Sequence, residues 1–223
     1  MNYIDIHTHS YQQQKGLIQL VSYFAKDIPQ LVGGKIQHYF SVGIHPWYIS
    51  PCCYPLELKL MEGIADKPNL LAFGECGLDK SKGAEWDLQE AVFIEQAQLA
   101  ARFRKPLMVH CVKAFNELVL IRTQYNFKNK WLVHGFNGSV ETALQLIEKG
   151  CYLSFGKAIL DSNFRLKDHF MELPFDRIFL ETDAGDLDIR ELYVKAAELG
   201  GISQETLQQR MEVNFDLIFL RHE

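Results

Sequence analysis

Apolar and polar positions along the chain fall into short, β-rich runs separated by longer stretches of helical period. Eight such runs stand out: Tyr3 to His7, Leu17 to Phe24, Tyr39 to Ile44, Leu70 to Glu75, Leu107 to His110, Trp131 to His134, Cys151 to Phe155, and Ile178 to Glu181. Each is followed by Gly, Pro, Asn, Asp or a charged cluster. Near-continuous apolar strands alternating with helices are the pattern of a parallel sheet covered on both faces.

The clearest helical stretch is Asp87 to Arg104, where Phe93, Ala97 and Ala100 follow an i, i+4, i+7 spacing and Trp86 lies one heptad before Phe93. Pro106 bounds it. Further helices are expected over Pro55 to Ala65, Lys113 to Tyr125, Ser139 to Lys149, Ile189 to Leu199 and Gln204 to Phe219. Ser139 and Gly150 supply start and stop signals for one of them. The stretch from His9 to Leu17 is too short for a helix with its loops. The expected fold is therefore α/β, a TIM-like (β/α)8 barrel distorted by loss of its first covering helix.

The chain has 223 residues, near the lower limit of roughly 200 to over 400 for such a barrel. Without repeats, low-complexity segments or Gly/Ser-rich linkers, residues 1–223 read as a single domain. Hydrophobic residues make up 48% and charged residues 23%, a globular balance that excludes disordered and coiled-coil classes. No run reaches the ~18 apolar residues of a membrane span, and no basic leader precedes Ile4, so a cytoplasmic location is expected. The five cysteines, Cys52, Cys53, Cys76, Cys111 and Cys151, contain no C-x-x-C pair and read as reduced thiols packed as small hydrophobes. A net charge of −5 argues against a basic surface that coats nucleic acid, so any polyanionic substrate must be held locally.

Against this frame the metal-type side chains are not scattered. His7 and His9 close the first strand, Glu75 the fourth, His110 the fifth and His134 the sixth, while Asp183 follows the eighth. Strand carboxyl ends of a β/α barrel surround one mouth, so these six are expected to converge on one pocket. H-x-H on a strand turns both imidazoles to the same face. Four imidazoles and two carboxylates suit Zn, Mn, Fe, Co or Ni, and Mg less well. Six ligands exceed the needs of one tetrahedral ion with an open position. Two divalent ions per chain sharing a carboxylate is the economical arrangement, able to bring a water's pKa near neutrality and to clamp the oxygens of a phosphodiester.

The motifs Asp5-x-His7-x-His9, Gly43-x-His45-Pro46, Gly74-Glu75-x-Gly77-Leu78-Asp79, Lys105-Pro106 before Val109-His110, His134-x-Phe136-x-Gly138 and Leu180-Glu181-Thr182-Asp183 resemble the TatD family of metal-dependent deoxyribonucleases, relatives of the amidohydrolases. They run in order along the chain, with a weaker echo at Asn214. The resemblance implies a barrel that hydrolyses DNA phosphodiesters. It implies one ion on His7, His9 and Asp183, another on His110 and His134, and Glu75 bridging them. Glu75 and Asp183 would be the catalytic pair, Asp183 also handling the proton of the attacking water.

The chain departs from the family pattern at Val112, where relatives carry an arginine that can fork onto phosphate, and at Gly185, where they carry proline. The segment from Gly185 to Ile189 is also abbreviated. Asp5, on the face of His7, is expected to hold an imidazole. His45 is expected to contact phosphate and Lys113 to supply positive charge, while Trp47 and Tyr48 are placed to stack on bases or, as aromatic residues in a loop after proline more often do, to cover the core. Lys80, Lys82 and Lys157 read as solvated cations, whereas His38, His169 and His222 lie away from strand ends. The expected partner is single-stranded DNA or a DNA end, with no membrane and no obligate protein partner. The alternative is a hydrolase of a small phosphoester, amide, lactone or aminoacyl-tRNA ester, and a non-catalytic metal-binding protein is the third reading.

Overall fold

A computed structural model describes residues 1–34, 36–185 and 187–221. The strands are β1 (Tyr3–Thr8), β2 (Leu17–Phe24), β3 (Tyr39–Gly43), β4 (Leu70–Asp79), β5 (Leu107–Val112), β6 (Trp131–Val133), β7 (Cys151–Phe155) and β8 (Ile178–Leu180). The helices are α1 (Ile28–Gly33), α2 (Tyr54–Gly63), α3 (Trp86–Arg102), α4 (Phe115–Gln124), α5 (Val140–Glu148), α6 (Ile189–Gly200) and α7 (Gln204–Phe215). The strand order is β1-β2-β3-β4-β5-β6-β7-β8, that of a TIM-like (β/α)8 fold. No helix lies between β1 and β2, as expected from the short connection. Among the described residues no helix is long and apolar enough to cross a membrane. His222 lies outside the described residues.

The chain divides into two compact units, Met1–Val21 with Leu132–Glu223, and Ser22–Trp131. In the first, β1 pairs in parallel with β2 and β7 with β8, and a single parallel bridge joins Thr8 to Asp183. The core gathers Ile4, Ile6, Leu153, Phe155, Phe170, Phe179 and Phe215, all nearly inaccessible. Tyr193 on α6 reaches this core and hydroxyl-bonds both backbone groups of Ile4, accepting from its N–H at 2.9 Å and donating to its carbonyl at 3.2 Å. Asn214 on α7 donates to the carbonyls of Phe175 and Ile178, which ties the helix to the start of β8. The C-terminal echo in the sequence is therefore a strand anchor. Ser139 caps α5 by accepting from Thr142 N–H at 3.3 Å.

In the second unit β4 pairs in parallel with β3 and β5. The long helix α3 buries Val92, Phe93, Ala97 and Ala100. Its two buried polar residues, Gln89 and Gln96, lie one heptad apart and complete the backbone where strands end. Gln96 accepts from Ile44 N–H at 2.7 Å and donates to its carbonyl at 3.1 Å; Gln89 treats Asp79 likewise, at 2.8 and 3.1 Å. A buried amide left without such partners would cost about 1–3 kcal/mol, so these contacts set the mouth ends of β3 and β4. Gly77, at φ +153, permits the approach of β5: a Cβ there would lie 1.8 Å from the His110 carbonyl oxygen.

Candidate metal centre

Among the described residues, each unit carries a cluster of metal-type side chains. In the first, His7, His134 and Asp183 offer donor atoms within 4.8 Å of one another. The Nε2 atoms of His7 and His9 each stand 3.6 Å from the same oxygen, Asp183 Oδ1, and the His7 and His134 rings are 4.2 Å apart. These spacings are too long for hydrogen bonds. They match ligands arranged about one ion, because donors held at about 2.0–2.2 Å from a common centre lie roughly 3–4 Å from each other. Imidazole nitrogen with carboxylate oxygen is also the donor chemistry of a borderline divalent ion. The residues present therefore fit a metal.

Asp183 is held in place through its backbone. Its N–H donates to the His7 carbonyl at 2.9 Å and its carbonyl accepts from His9 N–H at 3.2 Å, which accounts for a non-glycine residue at φ +53. Asp5 works on the same segment: its carboxylate accepts from Thr182 N–H at 2.9 Å, Thr182 Oγ1 at 2.8 Å and Gln19 Nε2 at 3.1 Å. The imidazole expected beside it is not among these partners, so Asp5 positions Asp183 by way of Thr182. Burial pushes the Asp5 carboxyl up to about 6, against the opposing effect of those hydrogen bonds. Behind His134, Glu181 places Oε1 3.4 Å from Nδ1 and accepts from the Ser154 hydroxyl.

In the second unit, His45, Glu75 and His110 form the other cluster. Glu75 Oε1 lies 2.9 Å from His45 Nε2 and 3.1 Å from His110 Nδ1, and His110 Nε2 lies 3.0 Å from Asp79 Oδ2. His45 Nδ1 accepts from Trp47 N–H, so in the neutral ring the proton sits on Nε2 and points at Glu75. The Asp79 carboxylate likewise favours a proton on His110 Nε2, which leaves the Nδ1 lone pair facing Glu75. Burial would raise the Asp79 carboxyl, but hydrogen bonds from Ser81, His110 and Trp47 outweigh it and hold the group well below the usual range.

The remaining expected contacts are distributed around this cluster. His45 faces Glu75 with its Nε2. Trp47, 37% exposed, donates Nε1–H to Asp79 Oδ2 at 2.7 Å and lies under Lys82, whose Nζ is 3.9 Å from the ring centre. Lys80 pairs with Glu117 at 2.5 Å, and Lys113 is exposed at φ +56 after β5. Glu181 and Asp79 are the site residues that composition does not single out. For Asp79 a signal exists: Glu75, Gly77 and Asp79 share one parity on β4, so both carboxylates face one way.

The model of the family described as TatD related DNase matches residues 16–220. A protein named as an uncharacterized metal-dependent hydrolase YcfH, from Escherichia coli K12, is 28% identical over 205 residues, covering 85% of this chain and 76% of that protein. The 3'-5' ssDNA/RNA exonuclease TatD of Cronobacter turicensis is 31% identical over 161 residues, 70% of this chain and 61% of that one. Among solved structures, YjjV, a TatD homolog from Escherichia coli K12, superposes with a TM-score of 0.83 at 20% identity, covering 99% of this chain and 98% of its own. The match over nearly the whole chain, together with two clusters of imidazoles and carboxylates, shows that the protein belongs to the TatD related DNase family and is a metal-dependent hydrolase.

Proposed function

We propose that the protein hydrolyses phosphodiester bonds of DNA, acting on single strands or strand ends. The observation that carries this reading is the convergence of His7 and His9 on one oxygen of Asp183, in a family whose named relatives include a single-strand exonuclease. His7, His9, His134 and Asp183 would hold one divalent ion and Glu75 with His110 a second. The resemblance implied His134 beside His110 with Glu75 bridging, but the His134 donor lies with those of His7 and Asp183, so it is assigned to the first ion. When bound, such ions polarise a phosphoryl oxygen and make water a better nucleophile near neutral pH. The Asp183 side chain, 49% exposed, is open to solvent and takes the proton of the attacking water. Asp5 and Thr182 keep Asp183 in place; Glu181 orients His134 and Asp79 orients His110. Trp47 offers a half-exposed face to a base and Lys113 a point charge to a phosphate.

A second reading, a small phosphoester, amide, lactone or aminoacyl ester as substrate, is favoured by Val112, two residues past His110, where the family resemblance implies an arginine able to fork onto phosphate. One panel separates the two: labelled single-stranded DNA, a small phosphodiester, an amide, a lactone and an aminoester, each assayed with Mn, Zn and Mg. DNA cleavage with the highest kcat/KM supports the nuclease. Turnover of only the small substrates replaces it. Metal analysis of protein refilled with Zn or Mn is expected to saturate near two ions per chain, and a stoichiometry of one would remove the two-ion arrangement.

A further inference from the structure

Cys52 and Cys53 take no part in the chemistry above, yet they differ from the other three cysteines. Cys76, Cys111 and Cys151 are buried as small hydrophobes, as their sequence suggested, whereas Cys52 and Cys53, expected to pack likewise, are adjacent and exposed in the turn before α2, with their Sγ atoms 3.2 Å apart. The backbone that carries them is already fixed. Ser50 accepts from Cys53 N–H at 3.0 Å and from Tyr54 N–H at 2.9 Å, and the Cys53 carbonyl accepts from Leu56 and Glu57 as α2 begins. Two thiols face each other without reorganisation of the chain, which lowers the entropic cost of binding one atom between them. Hydrogen bonds with Ser50 and then Cys53 hold the Cys52 thiol below its ordinary range, so its thiolate is accessible.

The spacing selects what can bind. An intramolecular disulfide between neighbours is disfavoured, because a trans peptide sets their Cα atoms at about 3.8 Å while disulfides usually span about 4.4–6.8 Å. With metal–sulfur bonds of about 2.3 Å, a linear centre needs its sulfurs about 4.6 Å apart and a tetrahedral one about 3.8 Å. A pyramidal centre with near-right angles needs about 3.3 Å at the same bond length. The observed 3.2 Å corresponds to the last.

We propose that Cys52 and Cys53 form a dithiol site that chelates one trivalent thiophilic centre, of the chemical class of arsenite and organic arsenoxides. Loading is a condensation. Two As–S bonds form, the arsenic–oxygen bond of the arsenoxide breaks, and both thiol protons leave with that oxygen as one water. Arsenic stays trivalent and no electron is transferred.

The test uses the reduced, full-length protein and phenylarsine oxide at one equivalent, read by native intact-mass spectrometry. One adduct per chain is expected, of the reagent's mass less one water, stable to a monothiol and removed by a small dithiol. Iodoacetamide, which should alkylate Cys52 and Cys53 in the untreated protein, should fail to do so after loading. Cys52→Ser and Cys53→Ser change exposed side chains, are expected to keep the wild-type circular dichroism, and should each lose the adduct. Survival of the adduct in either folded variant would overturn the assignment, as would a wild-type protein that takes up none. Conversion of the pair to a disulfide by an equimolar low-molecular-weight disulfide, in preference to loading, would also overturn it.

Discussion

Asp79→Asn is isosteric and removes one acceptor from a carboxylate that serves five donors: Ser81 N–H, the Ser81 hydroxyl and Lys82 N–H on Oδ1, and Trp47 Nε1–H and His110 Nε2 on Oδ2. An asparagine that keeps its oxygen toward the three donors of the Lys80–Lys82 turn presents its NH2 to Trp47 and His110. Trp47 has only a donor and loses its partner, at a cost of about 1–3 kcal/mol. His110 can adapt by moving its proton from Nε2 to Nδ1. That change is the informative one, because Nδ1 is the atom 3.1 Å from Glu75 and a protonated nitrogen has no lone pair for an ion. Loss of such an orienting partner typically weakens metal binding about 10–100-fold, or about 1.4–2.7 kcal/mol. Two measurements check this: zinc affinity by chelator competition, and the His110 tautomer by nitrogen-15 imidazole spectra of metal-free protein. Weaker binding together with a proton on Nδ1 is expected. A folded variant with unchanged affinity and the proton still on Nε2 would refute the assignment of Asp79 as the residue that sets His110.

Asp183→Asn should lower the rate on the best substrate by about 10²–10⁴-fold while leaving the fold intact, since asparagine tolerates the left-handed backbone found there; steady-state kinetics and circular dichroism check both halves. Asp5 should make stability pH-dependent. Its folded-state pKa is raised, so its contribution is complete below about pH 4 and is lost as pH rises through about 6. The change is on the order of 3 kcal/mol, and urea unfolding of metal-free protein from pH 4 to 7 should show it in the wild type and not in Asp5→Asn. For a short DNA strand at low salt, Lys113→Ala should raise KM with metal content unchanged and Val112→Arg should lower it, because an arginine fork binds phosphate better than a point charge. Both variants behaving as wild type would move the weight to small substrates.

Much of the architecture is legible because it is locally encoded. The bounds of β2 and β7 coincide with the apolar runs Leu17 to Phe24 and Cys151 to Phe155, and α5 begins after the serine that its sequence marks as a cap. Strand β4 runs four residues beyond Glu75, to Asp79, because its last residues still pair with β5. The short helix α1, six residues long, left no period to read.

For the site, sequence order alone determined which strands carry the imidazoles and carboxylates, because apolar period and turn residues locate the strands from neighbouring positions. Glu75 and His110, expected to close their strands, lie inside β4 and β5, whose last residues pair with each other. Nor did sequence order determine what each side chain touches. That Asp5 serves Thr182, that Glu181 backs His134 and that Gln96 closes the end of strand β3 depend on residues far apart in the chain. Only the tertiary structure brings such groups within hydrogen-bond reach, and a buried polar group must then take whichever partner the packing supplies.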